Sequence, residues 1–118
     1  MAEPKNRPIQ QRFRDGMAGL IQGWRRERSI RLHLLLAVPG VAAILLTKPR
    51  LPWLLTFLAL LVLGLAIELI NASLEALLDR LHPAYHPEIG AAKDLGSAAA
   101  LVVNLAAAAA FLGAVLLQ

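Results

Sequence analysis

The sequence contains no cysteine, few aromatic residues and little charge along most of its length. Of its 118 residues, 5% are aromatic and 17% are charged. The absence of cysteine excludes disulfides and thiolate metal ligands. The chain also lacks the glycine loops GxGxxG and GxxxxGK[ST]. Any nucleotide site must therefore differ from the phosphate-binding loops of the common nucleotide-binding folds. No apolar run follows a short basic start, and we therefore expect no cleavable signal peptide.

Apolar residues and a basic amino-terminal end are what the sequence has instead. Hydrophobic residues make up 58% of the chain, which is high for a soluble domain of this size. Eight of the twelve Lys and Arg residues lie in the first 31 positions. A basic end before long apolar runs is typical of a membrane-surface segment that precedes spanning helices. This distribution disfavours nucleic acid as the partner.

The hydropathy pattern predicts an all-α membrane protein with one domain over residues 9–118. Residues 1–8 are predicted to be a disordered tail. Over residues 9–28, apolar side chains recur every three or four positions and predict an amphipathic surface helix, with Trp24 as its headgroup-level anchor. The transmembrane helices are predicted at about 30–47, 53–79 and 93–117, with a turn at 47–52 and a polar loop at 81–92.

Charge and small residues predict the topology and the packing. The cytoplasmic side is expected to hold the amino terminus and the 80–94 segment, because they carry ten basic residues against two in the 47–52 turn. The protein is thus predicted to cross a bacterial cytoplasmic (inner) membrane several times. Gly96, Ser97 and the alanines at 98–100 and 106–110 predict close helix packing. An oligomer is expected, because three helices alone bury carboxylates poorly.

One stripe of polar side chains interrupts the apolar pattern of the second span. Glu68, Asn71, Glu75 and Asp79 follow at spacings of 3, 4 and 4 residues. At 100° per residue they share about 80° of the helix circumference. Carboxylates at membrane depth need a function or a partner, and such oxygen ligands suit Mg²⁺. Glu27 or Lys93 are candidates to complete the set, whereas Asp79 and Glu75 also fit a helix end that faces water.

Other candidate groups follow the stripe. Lys93 and Asp94 are predicted to open the third span, where a cation and free backbone N–H groups would suit a phosphate. His82 and His86 have a spacing that zinc ligands also show, but no third ligand accompanies them. His33 is interpreted as a polar group near the membrane interface.

The segments Glu68–Asp79 and Ala92–Ala99 resemble the signature of the prokaryotic diacylglycerol kinase family. Gly19, Leu20, Glu27 and Arg31 also fall at the spacing of that family. Two positions depart from its pattern, since Ala72 stands where Ser or Thr is usual and Leu78 where Val is usual. The resemblance covers about residues 12–118.

This resemblance implies a homotrimer of three-helix subunits that transfers the γ-phosphoryl group of ATP to a membrane lipid alcohol with Mg²⁺. It implies that Glu68 is the catalytic base and that Glu27 and Glu75 bind the metal. The implied nucleotide and phosphate site contains Asn71, Tyr85, His86, Lys93 and Asp94. The implied lipid site contains Arg31, Glu68 and Ser97, on the cytoplasmic side.

The lipid remains open between two branches of the family. Residues 93–99 resemble the diacylglycerol branch, which we favour, whereas the segment from Glu27 to His33 resembles the undecaprenol branch. A different class of function is a small cation or proton conductor lined by the acidic stripe. The stripe covers only about 16 Å of helix, roughly half of a bilayer, so a continuous polar path is not visible.

Overall fold

The fold consists of four consecutive α-helices. A computed structural model describes residues 6–117. The helices are α1 (Ile9–Arg26), α2 (Arg28–Leu46), α3 (Leu51–Leu81) and α4 (Pro87–Leu116), and no strand occurs among the described residues. Three of them, α2, α3 and α4, are long and apolar enough to cross a membrane. The expected all-α chain with three membrane-capable helices is therefore confirmed.

The predicted tail lies only partly within the described residues. Residues 1–5 are outside that range, while residues 6–8 precede α1 without helical structure. Arg7 forms an ion pair with Asp15 in the second turn of α1. This segment is therefore tied to the helix through one side chain.

A single residue, Glu27, turns the chain from α1 into α2. Its backbone is extended (φ −110°, ψ 113°), and its N–H donates to the Gly23 carbonyl at 2.9 Å. Nη1 of Arg31 donates to the carbonyls of Trp24 at 2.9 Å and Arg25 at 3.1 Å. A cation on the last carbonyls of a helix satisfies groups that have no intrahelical partner. Arg31 thus holds the corner between α1 and α2 together.

The connection between α2 and α3 is tighter than the predicted turn at 47–52. Lys48 has a φ of 50°, and its N–H bonds to the Leu45 carbonyl at 3.1 Å. The next helix already begins at Leu51, because Pro52 lies in its first turn, where a missing N–H costs nothing. Pro39 lies inside α2 without ending it.

The predicted polar loop at 81–92 is wrong in its second half. The connection between α3 and α4 is only His82–His86, and α4 begins at Pro87. His86 caps the helix, since its Nδ1 accepts the backbone N–H of Glu88 at 3.1 Å. Pro87 fits the first helical position, and Glu88 complements the positive end of the helix dipole. Residues 87–92, which the sequence pattern predicts as loop, therefore form the start of α4.

Packing is concentrated between α3 and α4. The buried core consists of Ile44, Phe57, Ala107, Ala110 and Ala114, and the Phe57 and Phe111 rings meet with centroids 5.6 Å apart. Gly113 lies so close to the Trp53 ring that a Cβ there would overlap it. Small residues on α4 therefore let the two helices approach, as the alanine and glycine pattern predicts.

Candidate active site

The acidic stripe of α3 runs from a buried position to an exposed one. Glu68 is only 7% exposed, Glu75 and Asn71 are half-buried, and Asp79 is exposed. Glu68 and Asp79 both make their side-chain bonds to α4. One helix face therefore carries carboxylates from the apolar core of the bundle to its surface.

Glu68 lies among three elements of the bundle. Asn104 on α4 donates from Nδ2 to Glu68 Oε1 at 3.2 Å, and His33 Nδ1 on α2 is 3.5 Å from Glu68 Oε2. Gly64 makes room for them, because a Cβ at that position would lie 2.9 Å from His33 Cε1 and 3.0 Å from Asn104 Oδ1. Glu68 Oε2 is buried and has no hydrogen-bond partner among the described residues.

His33 and Asn104 are the site residues that sequence reasoning missed. The side chain of His33 is 6% exposed and packs against Glu68, so His33 belongs to the buried polar cluster, and its predicted position near the membrane interface stays a prediction. The available signal was compositional: His33 is the only ionisable residue between Leu32 and Leu46, and Asn104 is one of two polar residues between Leu95 and Leu117. Neither signal indicates that the two side chains meet Glu68.

Asn71 faces a glycine on α4. The space beside its side chain exists because residue 96 is glycine, since a Cβ on Gly96 would overlap the Asn71 amide. Asn71 Oδ1 is buried and has no hydrogen-bond partner among residues 6–117. A buried amide oxygen without a partner is costly, which marks this position for a ligand or a neighbouring group.

Lys93 pairs with Asp79 across α3 and α4. The expectation that Lys93 and Asp94 open a helix is wrong, because α4 begins at Pro87 and their backbone N–H groups lie inside it. A phosphate at this position would therefore meet the side chain of Lys93 rather than a helix start. Asp94 and Ser97 are exposed, and Tyr85 is 87% exposed in the loop.

Glu27 borders a cavity of about 430 Å³ between α1 and α3. Three of the six α1 residues that line it are glycines, Gly16, Gly19 and Gly23, and the α3 wall includes Ala72 and Ala76. Glu75 is not among the lining residues, since it lies about 100° around α3 from Ala76. The described residues contain no cluster of three or more His, Cys, Asp or Glu side chains that would hold a metal ion alone.

A second groove is lined in part by Glu68. It has a volume of about 660 Å³ and lies between α2, α3 and α4. Its walls are mainly apolar and include Leu36, Phe57 and Phe111, whereas His33, Glu68 and Asn104 form its polar part. An apolar channel with one cluster of polar groups suits a ligand with a hydrocarbon chain and a polar end.

Comparison with known proteins decides the family. The sequence model of prokaryotic diacylglycerol kinase matches residues 14–117. This chain belongs to the prokaryotic diacylglycerol kinase family. It is 34% identical over 86 residues to a diacylglycerol kinase of Pseudomonas aeruginosa, covering 73% of this chain and 70% of the relative.

Diacylglycerol kinases of Escherichia coli K12 and Shigella flexneri are 42% identical over 45 residues. That match covers 38% of this chain and 37% of each relative, so the aligned part is little more than a third of their length. The region that the family model matches, residues 14–117, contains all four polar residues of the stripe as well as His33 and Asn104. The family match and the buried polar cluster thus fall on the same helices.

Proposed function

We propose that this protein is a membrane lipid kinase that transfers the γ-phosphoryl group of ATP to the hydroxyl of diacylglycerol and forms phosphatidic acid. The observation that carries the proposal is the buried carboxylate of Glu68 beside an apolar groove. Membership of the prokaryotic diacylglycerol kinase family supports it. An ionisable group buried among membrane helices is expensive, and an apolar groove beside it suits a hydrocarbon chain.

Glu68 is the proposed catalytic base. In the reaction, the lipid oxygen forms a bond to Pγ while the bond between Pγ and the bridging oxygen of ADP breaks. The hydroxyl proton moves to the Glu68 carboxylate, and ADP is the leaving group. Phosphoryl transfer depends chiefly on positioning and on charge stabilisation, so a buried base at the side of a groove suits it.

The nucleotide is proposed to bind near the exposed end of the stripe. Lys93 supplies a cation beside Asp79, and the unpartnered Asn71 oxygen lies against the same helix. Tyr85, His86 and Asp94 belong to the adjacent end of α4 and its loop. These residues are the ones proposed to contact the nucleotide and its phosphates.

Magnesium is proposed to bind Glu27 and Glu75. Their carboxylate oxygens are the ligands that Mg²⁺ prefers, and two carboxylates leave room for the ATP phosphates and water that usually complete its shell. When bound, Mg²⁺ would neutralise charge on the transferred phosphoryl group. The chemistry of the two carboxylates suits the ion, although Glu75 does not line the cavity that Glu27 borders.

The lipid site and the assembly belong to the same proposal. Arg31 and Ser97 are proposed to border lipid entry, although one Nη of Arg31 already bonds to the end of α1. The apolar side of α1 is proposed to lie on the cytoplasmic membrane surface, because Phe13, Met17 and Trp24 are exposed. A homotrimer is part of the proposal because the resemblance to the prokaryotic diacylglycerol kinase family implies it.

Undecaprenol is the second candidate substrate. The observation that favours it is that His33, part of the segment that resembles the undecaprenol branch, contacts Glu68. A cation conductor is disfavoured, because the half of α3 before Glu68 is apolar.

A substrate panel tests the function. Purified protein in mixed micelles receives labelled ATP and Mg²⁺ with diacylglycerol, undecaprenol or a sphingoid base. We expect phosphatidic acid with diacylglycerol and little product with the other two. Transfer only to undecaprenol would select the second candidate, and no product from any lipid would contradict the kinase proposal.

A matched pair of variants tests the base. Glu68→Gln removes the proton acceptor with little change in shape, and we expect turnover to fall about 10²- to 10⁴-fold. Glu88→Gln makes the same change at an exposed position of α4 and serves as the control. Wild-type turnover in Glu68→Gln would exclude Glu68 as the base.

A further inference from the structure

His33 is the only other titratable side chain that contacts Glu68 within residues 6–117. Its Nδ1 lies 3.5 Å from Glu68 Oε2, and the two side chains are only 6% and 9% exposed. The other contact of Glu68 is the neutral amide of Asn104, which donates to Oε1. The net charge of this buried cluster therefore depends on the protonation of both His33 and Glu68.

A backbone carbonyl determines the protonation of one ring nitrogen of His33. His33 Nε2 lies 2.8 Å from the Leu61 carbonyl oxygen. Because a carbonyl only accepts, Nε2 must carry its hydrogen and donate it. A neutral His33 then has an unprotonated Nδ1, and this nitrogen is the one that faces Glu68.

The Glu68 carboxylate imposes a second condition on its contact with His33. An ionised Glu68 is an acceptor only, so it would place a lone pair against the lone pair of a neutral His33 Nδ1. One proton between the two atoms removes that conflict, whether it resides on the nitrogen or on the oxygen. Both arrangements are neutral as a pair, which avoids the cost of an isolated charge at membrane depth. A shared proton also supplies the missing partner of the buried Oε2.

We propose that His33 and Glu68 hold one proton between Nδ1 and Oε2, and that His33 is the positioning residue that keeps Glu68 oriented as the base. The kinetic part rests on the proposed kinase function. During transfer, the lipid hydroxyl proton enters the pair as the bond from the lipid oxygen to Pγ forms and ADP departs. The pair then carries two protons and a net positive charge, and release of one proton to water restores it.

Nuclear magnetic resonance of histidine ¹⁵N tests the shared proton without any turnover. The His33 signals are assigned by their loss in His33→Asn, since His82 and His86 remain. We expect a protonated Nε2 in wild type and in Glu68→Gln, because Leu61 is unchanged. The amide introduced by Glu68→Gln donates to Nδ1 and supplies no proton to share, so the Nδ1 signal should move to that of a neutral acceptor nitrogen. Because the proton can reside on either atom, the ¹³C signal of the Glu68 carboxyl group is recorded beside the Nδ1 signal. An unprotonated Nδ1 together with an ionised Glu68 carboxylate in wild type would overturn the shared proton.

Kinetics test the positioning role. His33→Leu removes the ring, whereas His33→Asn keeps a short N–H donor that cannot carry the proton. We expect kcat to fall about 10- to 100-fold in His33→Leu and less in His33→Asn, the usual cost of losing a group that orients a functional side chain. The KM for ATP should stay within about twofold, because no contact of His33 leads to the proposed nucleotide site.

The same substitutions at His82, which is exposed in the loop, are the control. Wild-type kcat in His33→Leu would overturn the positioning role, even if the ¹⁵N signals support the shared proton. Failure of wild type to phosphorylate any lipid would instead contradict the kinase function. The ¹⁵N comparison would still test whether His33 and Glu68 share a proton.

Discussion

The cost of burying an ionisable residue dominates the site at the scale of single residues. Burying an ionised side chain is costly unless the charge is paired or hydrogen-bonded. Glu68 meets this cost with two polar neighbours, His33 and Asn104, from two other helices. Gly64 gives both of them space. The polar cluster is therefore a product of three helices rather than of α3 alone.

Lys93 provides a prediction at the same scale. Lys93→Met removes the positive charge beside Asp79, and we expect kcat/KM for ATP to fall about 10²- to 10³-fold, as when a cation on the transferring phosphoryl group is lost. Thermal stability should change little, because the Asp79 partner is exposed. Steady-state kinetics with varied ATP measure the effect.

Arg80→Met is the control for Lys93→Met, since it removes a basic charge one residue from Asp79. Equal losses in the two variants would indicate a general effect of charge at this membrane face. An unchanged kcat/KM for ATP in Lys93→Met would contradict a role of Lys93 in the phosphate site.

The residue stripe was predictable, but its neighbours were not. Spacings along one helix follow from 3.6 residues per turn, so the shared face of Glu68, Asn71 and Glu75 is readable from sequence. The contact of Glu68 with His33 joins residues 35 positions apart, and its bond to Asn104 joins residues 36 apart. Such contacts depend on how helices are rotated against each other, and a single sequence contains no measure of that rotation.

At the scale of elements, the contact between α3 and α4 depends on glycine. Gly96 and Gly113 are both positions where a Cβ would overlap a side chain of α3. A glycine in a helix interior normally costs up to about 1 kcal/mol relative to alanine. Here close approach of two membrane helices offsets that cost.

Gly96→Ala is expected to destabilise the protein in spite of the better helix propensity of alanine. The new methyl group overlaps the Asn71 amide, and overpacking of this kind costs about 1–3 kcal/mol. Thermal unfolding in detergent micelles, followed by circular dichroism, measures the change. Gly90→Ala is the control on the same helix, because its Cβ meets Tyr85 Cε2 at an ordinary 3.6 Å. An unchanged or raised Tm for Gly96→Ala would contradict the close approach.

Helix identity was easier to predict than helix ends. Long apolar runs with few charges predict membrane-capable helices, and α2, α3 and α4 coincide with such runs. The start of α4 was misread because His86, Pro87 and Glu88 look like loop residues. In the structure they form a cap, and that distinction depends on the local bond from Glu88 to His86.

At the scale of the whole molecule, ten of the twelve basic residues lie in the amino-terminal segment and at residues 80–94, and two lie in the connection between α2 and α3. The short connection around Arg50 lies at the opposite end of α3 from the His82–His86 loop. By the distribution of basic residues, the loop and the amino terminus are predicted to be cytoplasmic. This orientation would place Lys93, Asp79 and the proposed nucleotide site on the side of the membrane where ATP is made.

Cysteine labelling tests the orientation without background, because the chain has no native cysteine. Single cysteines at Asn6, Arg50 and Ala84 are treated with a membrane-impermeant maleimide in intact cells. We expect only Arg50→Cys to react, because its side chain is exposed at the outer end of α3. All three should react after permeabilisation, which is the control. Labelling of Ala84→Cys in intact cells would reverse the predicted topology.

The length of α3 has a consequence for the lipid itself. Its 31 residues extend about 46 Å, well beyond a hydrocarbon core of about 30 Å. Glu68 is 17 residues from Leu51, or about 26 Å along this axis, so it lies near the far boundary of the core. A hydroxyl at that depth belongs to one leaflet only. We therefore expect the enzyme to draw substrate from, and return product to, the leaflet on its nucleotide side, so that a lipid in the other leaflet must first cross the bilayer.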